Sequence, residues 1–147
     1  MAYLEVQDLT DELGEQTLIQ LTDDEGTEQI NEARVLKAIE YAKGVFDSYA
    51  RNRYTLPVPV TPMVKALNLD LAVFHLYKSR TSVAEGIYTV RKNAADEAMK
   101  LLKDIAAGKA ALDVPAVQES EELPSTPDRI LTNAGSNKFT DDTLRGF

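Results

Sequence analysis

Cysteine and tryptophan are absent from the 147 residues, and histidine occurs once, as His75. Without cysteine the chain forms no disulfide, carries no thiol nucleophile and offers no thiolate to zinc or an iron–sulfur cluster. One histidine leaves acid–base chemistry near neutral pH few candidates. No apolar run reaches the roughly 20 residues that a membrane-spanning helix needs, so no membrane partner is expected. The first residues lack a basic stretch followed by an apolar one, which predicts no secretory signal and a protein that acts where it is made. Gly-rich phosphate loops, nucleophile elbows and metal-ligating pairs at helical spacing are also missing. These absences predict a chain that is not an enzyme and takes no cofactor and no metal. They turn the search for function toward assembly.

Hydrophobic residues make up 44% of the chain and the formal net charge is −8, which fits one domain with a modest core. The charge is arranged in blocks. Residues 1–31 contain nine acidic side chains and no Lys or Arg; residues 32–110 hold thirteen basic against eight acidic; residues 111–147 hold three against seven. An acidic block of one molecule facing the basic middle of a neighbour would steer association and fix register. A solvated acidic face is the plainer reading of the same block. Because phosphate contact is carried by basic side chains, an acidic chain without a Lys/Arg-rich stretch is not expected to bind DNA directly.

Apolar spacing and punctuation predict an all-α fold: a small helical bundle of three longer helices and two short N-terminal ones, with an extended C-terminal arm. Gln7 to Leu13 reads as a short helix ended by Gly14, and Glu15 to Leu21 as a second, with residues 22–31 as a polar loop. Asn31 reads as the N-cap of a helix to about Arg53, in which Val35, Ile39, Ala42, Phe46 and Tyr49 recur at spacings of four and three. Gly44 inside it costs about 1 kcal/mol relative to Ala, through close packing or simple tolerance. Leu56-Pro57-Val58-Pro59-Val60 reads as a stiff extended crossing. Thr61 and Pro62 then open a helix to about Lys78 that is apolar on more than one side, the expected centre of the core. Ser82 and Glu85 fit a capping box for a long helix in which Ile87, Ala94, Ala98, Leu101 and Ile105 share a face until Gly108.

Two segments are expected, a helical bundle domain over 1–112 and an extended C-terminal arm over 113–147. The arm's prolines and sparse apolar residues cannot form a core alone, so it either orders on the bundle, a neighbouring subunit or another partner, or is a flexible terminus. If it orders, its contacts would rest on Leu131, Phe139, Leu144 and Phe147, with Arg145 as a bidentate anchor.

Residues 23–31 are similar to a calcium loop, with Asp23, Glu25, Thr27 and Asn31 near ligand positions. The sixth position, which needs Gly, is Glu28, and the twelfth, which needs a bidentate carboxylate, is Arg34, so an acidic turn is the better reading. His75, between Phe74 and Leu76 and within reach of Asp70 and Ser79, reads as a packed structural histidine. Asp96 and Asp104 read as surface partners of lysines at helical spacing. Arg51, Arg53 and Tyr54, together with Arg80, are expected to form a small basic-aromatic patch that contacts an acidic neighbouring subunit.

Several stretches together resemble the small head–tail connector proteins of Mu-like tailed phages and prophages, of the adaptor or head-completion class. They are Ala2-Tyr3-Leu4, Gly14-Glu15-Gln16 through Leu21-Thr22-Asp23, Arg53-Tyr54-Thr55-Leu56-Pro57 with Pro62, Asp70-Leu71-Ala72 through Leu76-Tyr77, and Leu101-Leu102 with Ile105-Ala106-Ala107-Gly108. The resemblance spans about residues 2–112. It implies a virion protein at the head–tail junction, made in the bacterial host cytoplasm. It further implies a homo-oligomeric ring, commonly twelvefold, beneath the portal protein and against a tail completion or tail terminator protein. DNA would pass through the channel without specific binding. A ring needs two heterologous faces per subunit, which an acidic and a basic block can specify. The alternative from the residues alone is a monomeric acidic protein that inhibits a DNA-binding protein by charge mimicry.

Overall fold

The computed structural model describes residues 2–80 and 83–115. Five helices follow one another, and no strand occurs among the described residues. Helix α1 (Val6–Leu13) opens where the Asp8 carboxylate accepts the Glu5 N–H at 2.8 Å. Gly14, at φ +82°, ends it and leads directly into α2 (Glu15–Thr22). A change of direction between two abutting helices needs this left-handed backbone, which glycine adopts without a Cβ clash.

Helix α3 (Glu32–Ala50) begins at Asn31, whose side chain accepts the Arg34 N–H, so the expected cap is present. It ends three residues earlier than the apolar spacing predicts. The N–H groups of Arg53 and Tyr54 both turn back onto the Ala50 carbonyl, and the Tyr54 side chain is buried. Helix α4 (Pro62–Lys78) is capped by the Thr61 hydroxyl and carries Pro62 in its first turn, as expected. Helix α5 (Glu85–Ala106) starts at Glu85, but its N-cap is Ala84 and no side chain caps it. Ser82, the expected cap, lies outside the described residues.

Helices α3, α4 and α5 pack against one another, while α1 and α2 lie on α3 and α4. The α3 stripe is Val35, Ala38, Ile39, Ala42, Phe46 and Ala50; Tyr49 is only half-buried because Ala50 takes the inward position at the helix end. Helix α4 is enclosed on nearly all sides, burying Val64, Leu67, Leu71, Ala72, Val73, Leu76 and Tyr77, as its unbroken apolar character requires. In α5 the core face is Ala95, Ala98, Leu102 and Ile105. This is an all-α small bundle. Two phenols tie its ends together. The Tyr3 hydroxyl donates to the Asp47 carboxylate at 2.6 Å and accepts the Val58 N–H at 3.2 Å. The Tyr54 hydroxyl accepts the N–H of Leu112 at 2.8 Å.

The compact unit runs to Pro115, slightly beyond a boundary at 112, because Leu112 is buried and the Asp113 carboxylate accepts the Thr61 hydroxyl. The arm residues Leu131, Phe139, Leu144, Arg145 and Phe147 lie outside the described residues.

Two glycines predict opposite effects. A Cβ at Gly44 meets no atom within 4 Å, so its place in α3 reflects tolerance, and Gly44→Ala is expected to raise stability by about 1 kcal/mol. Gly108 ends α5 at φ +80°, and a Cβ there meets the Arg53 guanidinium at 2.7 Å. Gly108→Ala is expected to lower stability by about 1–2 kcal/mol in a urea titration.

Candidate functional site

The polar loop after α2 is organised by its own acids. The Asp23 carboxylate accepts the N–H groups of Glu25 at 3.1 Å, Gly26 at 2.9 Å and Glu28 at 2.8 Å. Desolvation pulls its pKa upward, but the backbone donors prevail and hold the carboxyl below its ordinary 3.8. Its lone pairs are thereby occupied by the turn itself. Among the described residues no group of three or more His, Asp or Glu side chains is placed to hold a metal ion.

Asp24 pairs with Arg34 and, at 2.7 Å, with Arg80. The Arg80 guanidinium also donates from Nε to the Leu21 carbonyl at 2.8 Å and from Nη2 to the Asp23 carbonyl at 2.9 Å. It caps the C-terminal end of α2 and ties the loop to the end of α4, where cationic donors suit unsatisfied helix carbonyls.

The residues expected to form a basic-aromatic patch are divided between the two ends of α3. Arg80 stands at the α3 N-terminal end, beside Asp24 and Arg34, while Arg51 caps the other end of a 19-residue helix, roughly 28 Å away by helical rise. Tyr54 is 5% exposed and serves the core through Leu112. Arg53 lies against the C-terminal turn of α5 at Gly108. Arg80 and Arg51 each sit at a helix end, at opposite poles of α3, with Arg53 and Tyr54 on the Arg51 side. Their spacing in sequence hid this, because α3 and α4 place neighbouring loops at opposite ends.

His75 stacks on Tyr41 of α3, with ring centroids 4.3 Å apart. Ser79 instead donates to the Leu76 carbonyl, and Asp70 faces α1 and α5. Burial first, and then the positive charges of Lys78, Lys37 and Arg34, hold His75 below its ordinary 6.5. As pH falls through about 6.5, the unfolded chain takes up this proton before the folded one does, so stability present at neutral pH is lost on acidification. Between pH 7 and 5.5 the denaturation midpoint is expected to fall, and His75→Gln is expected to flatten that slope. Around this stack, Asp24, Arg34, Lys37, His75, Leu76 and Ser79 line a surface hollow of about 490 Å³. Tyr41 stays 46% exposed at its rim.

The second surface is the outer edge of α5. Ile87 is 51% exposed, although Ala98 and Ile105 on its face are buried. It does lie on the same side as Ala98 and Ile105, but no residue of α5 before Ala95 is buried, so the first turns extend along the bundle's rim. Val90, three residues on, is 65% exposed, and Ala94 is half-buried. Beside this stripe stand Glu12, Asp70 and Glu97 around Arg91, whose guanidinium pairs with Glu12 at 3.1 Å and lies over the Tyr77 ring. Burial first, then Glu12 and Glu97 against the opposing Arg91, raises the Asp70 pKa.

The block charges meet partly within one chain. Asp8 pairs with Lys65 at 2.8 Å, Glu12 with Arg91, and Asp24 with Arg34 and Arg80. The hydrogen bond to Lys65 is the main cause of a lowered Asp8 pKa, and the same bond raises that of Lys65. On α5, Asp96 pairs with Lys92 at 3.1 Å. Helix α5 carries too few apolar residues for a membrane, and no described helix is long and apolar enough to cross one.

No curated protein matches the chain. A family described as Bacteriophage Mu, Gp36 matches residues 3–128, most of the sequence, spanning all five helices. This all-α bundle, with the Tyr3 and Tyr54 anchors inside the matched span, therefore belongs to the bacteriophage Mu Gp36 family and is a Mu-like phage protein.

Proposed function

We propose that this protein is a structural, non-enzymatic virion component that assembles as a ring between the capsid portal and the tail. The ring extends the DNA channel without specific DNA contacts. Family membership supports a structural or morphogenetic role in a phage. The observation that carries the finer reading is the pair of unlike exposed faces on one small bundle: an apolar stripe at Ile87 and Val90, and a cationic aromatic rim at Tyr41 and His75. Two unlike faces are what head-to-tail closure of a ring requires. Partners on this reading are further copies of the chain, the portal protein and a tail completion or tail terminator protein, with the arm from about residue 113 as a second contact.

A charge-mimicking inhibitor would need its carboxylates free on one rigid face. Asp8, Glu12 and Asp24 are instead paired with basic groups of the same chain, and Asp23 is engaged by its own loop.

The role is tested in particle assembly. Phage produced without this chain are expected to accumulate heads and separate tails under the electron microscope. Normal tailed particles in its absence would overturn the reading.

A further inference from the structure

We infer that the α5 edge of one subunit docks on the α3–α4 rim of a second copy, seating Ile87 and Val90 against Tyr41 and His75. This rests on the ring reading above and specifies its lateral contact. Each surface lacks what the other supplies. The α5 stripe leaves Val90 65% and Ile87 51% exposed; of the charges around it, Arg91 and Arg80 are already paired with Glu12 and Asp24, which leaves the carboxylates of Asp70 and Glu97. The other rim offers Tyr41, 46% exposed, stacked on His75. It is ringed by Lys37, Lys78 and Arg34, of which only Arg34 makes an ion pair among the described residues. Apolar residues beside carboxylates thus face an aromatic pair beside ammonium groups, so both the desolvated centre and the charged margin match.

The two surfaces share no residue. A contact between them is therefore heterologous and propagates from copy to copy, closing if the rotation permits. A symmetric dimer through either surface would set like charges together, which opposes it. Gly44, one turn from Tyr41, has open space around it and marks the rim without contributing charge.

The absence of cysteine allows a direct test with the full chain. Gly44→Cys and Val90→Cys, each checked for wild-type helicity by circular dichroism, are treated with a short bis-maleimide singly and as a mixture. A covalent dimer is expected in the mixture and in neither variant alone. Lys37→Glu/Lys78→Glu and Glu97→Lys are each expected to lose self-association, and mixing them to restore it. Homodimers from a single cysteine variant, or oligomers by light scattering with no mixed cross-link, would overturn this contact and leave the ring standing. A wild-type chain that stays monomeric at every concentration would overturn both.

Discussion

Tyr3→Ala is expected to lower the unfolding free energy by about 3–5 kcal/mol, the range for removing a buried aromatic side chain. Tyr3 is 3% exposed, meets Phe46 edge-on with centroids 5.0 Å apart, and joins α3 to the proline crossing through one hydroxyl. Burial first and the Asp47 hydrogen bond second push its pKa up to about 12, so the phenol keeps the proton it donates across the working pH range. Tyr3→Phe separates the two roles. It keeps the ring packing but leaves the Val58 N–H without its acceptor and Asp47 without its donor, at about 1–3 kcal/mol. Urea titrations of both variants check the split; equal losses would show that the hydroxyl carries the whole effect.

Arg80→Ala is expected to cost about 2–3 kcal/mol, since it removes hydrogen bonds from a charged donor to two carbonyls and the Asp24 carboxylate. The loss should be local as well as global. Amide hydrogen exchange across residues 21–28 is expected to quicken more than in the α3 core, because the clamp is what ties that loop to α4. Arg80→Lys should recover little, as one ammonium cannot reproduce the fork that reaches three acceptors. Exchange unchanged in that loop would contradict the clamp.

The helices were legible because their apolar periods and caps are local properties. Asn31, Thr61 with Pro62, Gly14 and Gly108 each stand at the ends the sequence indicates. The unlike roles of Arg80 and Arg51 were not legible, since proximity in sequence between two loops says nothing about which pole of an antiparallel pair they occupy. Ile87 shows the same limit differently. Its helical phase places it with Ala98 and Ile105, and only the length of bundle available to cover it decides that it is exposed. The rim of Tyr41, His75, Lys37 and Lys78 gathers residues from two helices, a convergence that no single stretch displays. Likewise, the charge blocks signal complementarity, but folding lets Asp8, Glu12 and Asp24 satisfy part of it within their own chain.

The most direct test of the connector reading is the mass of the purified protein, alone and mixed with its candidate portal, by light scattering on a sizing column at moderate salt. A species many times 16.2 kDa, or co-elution with the portal, is expected. A strict monomer that ignores the portal would contradict it.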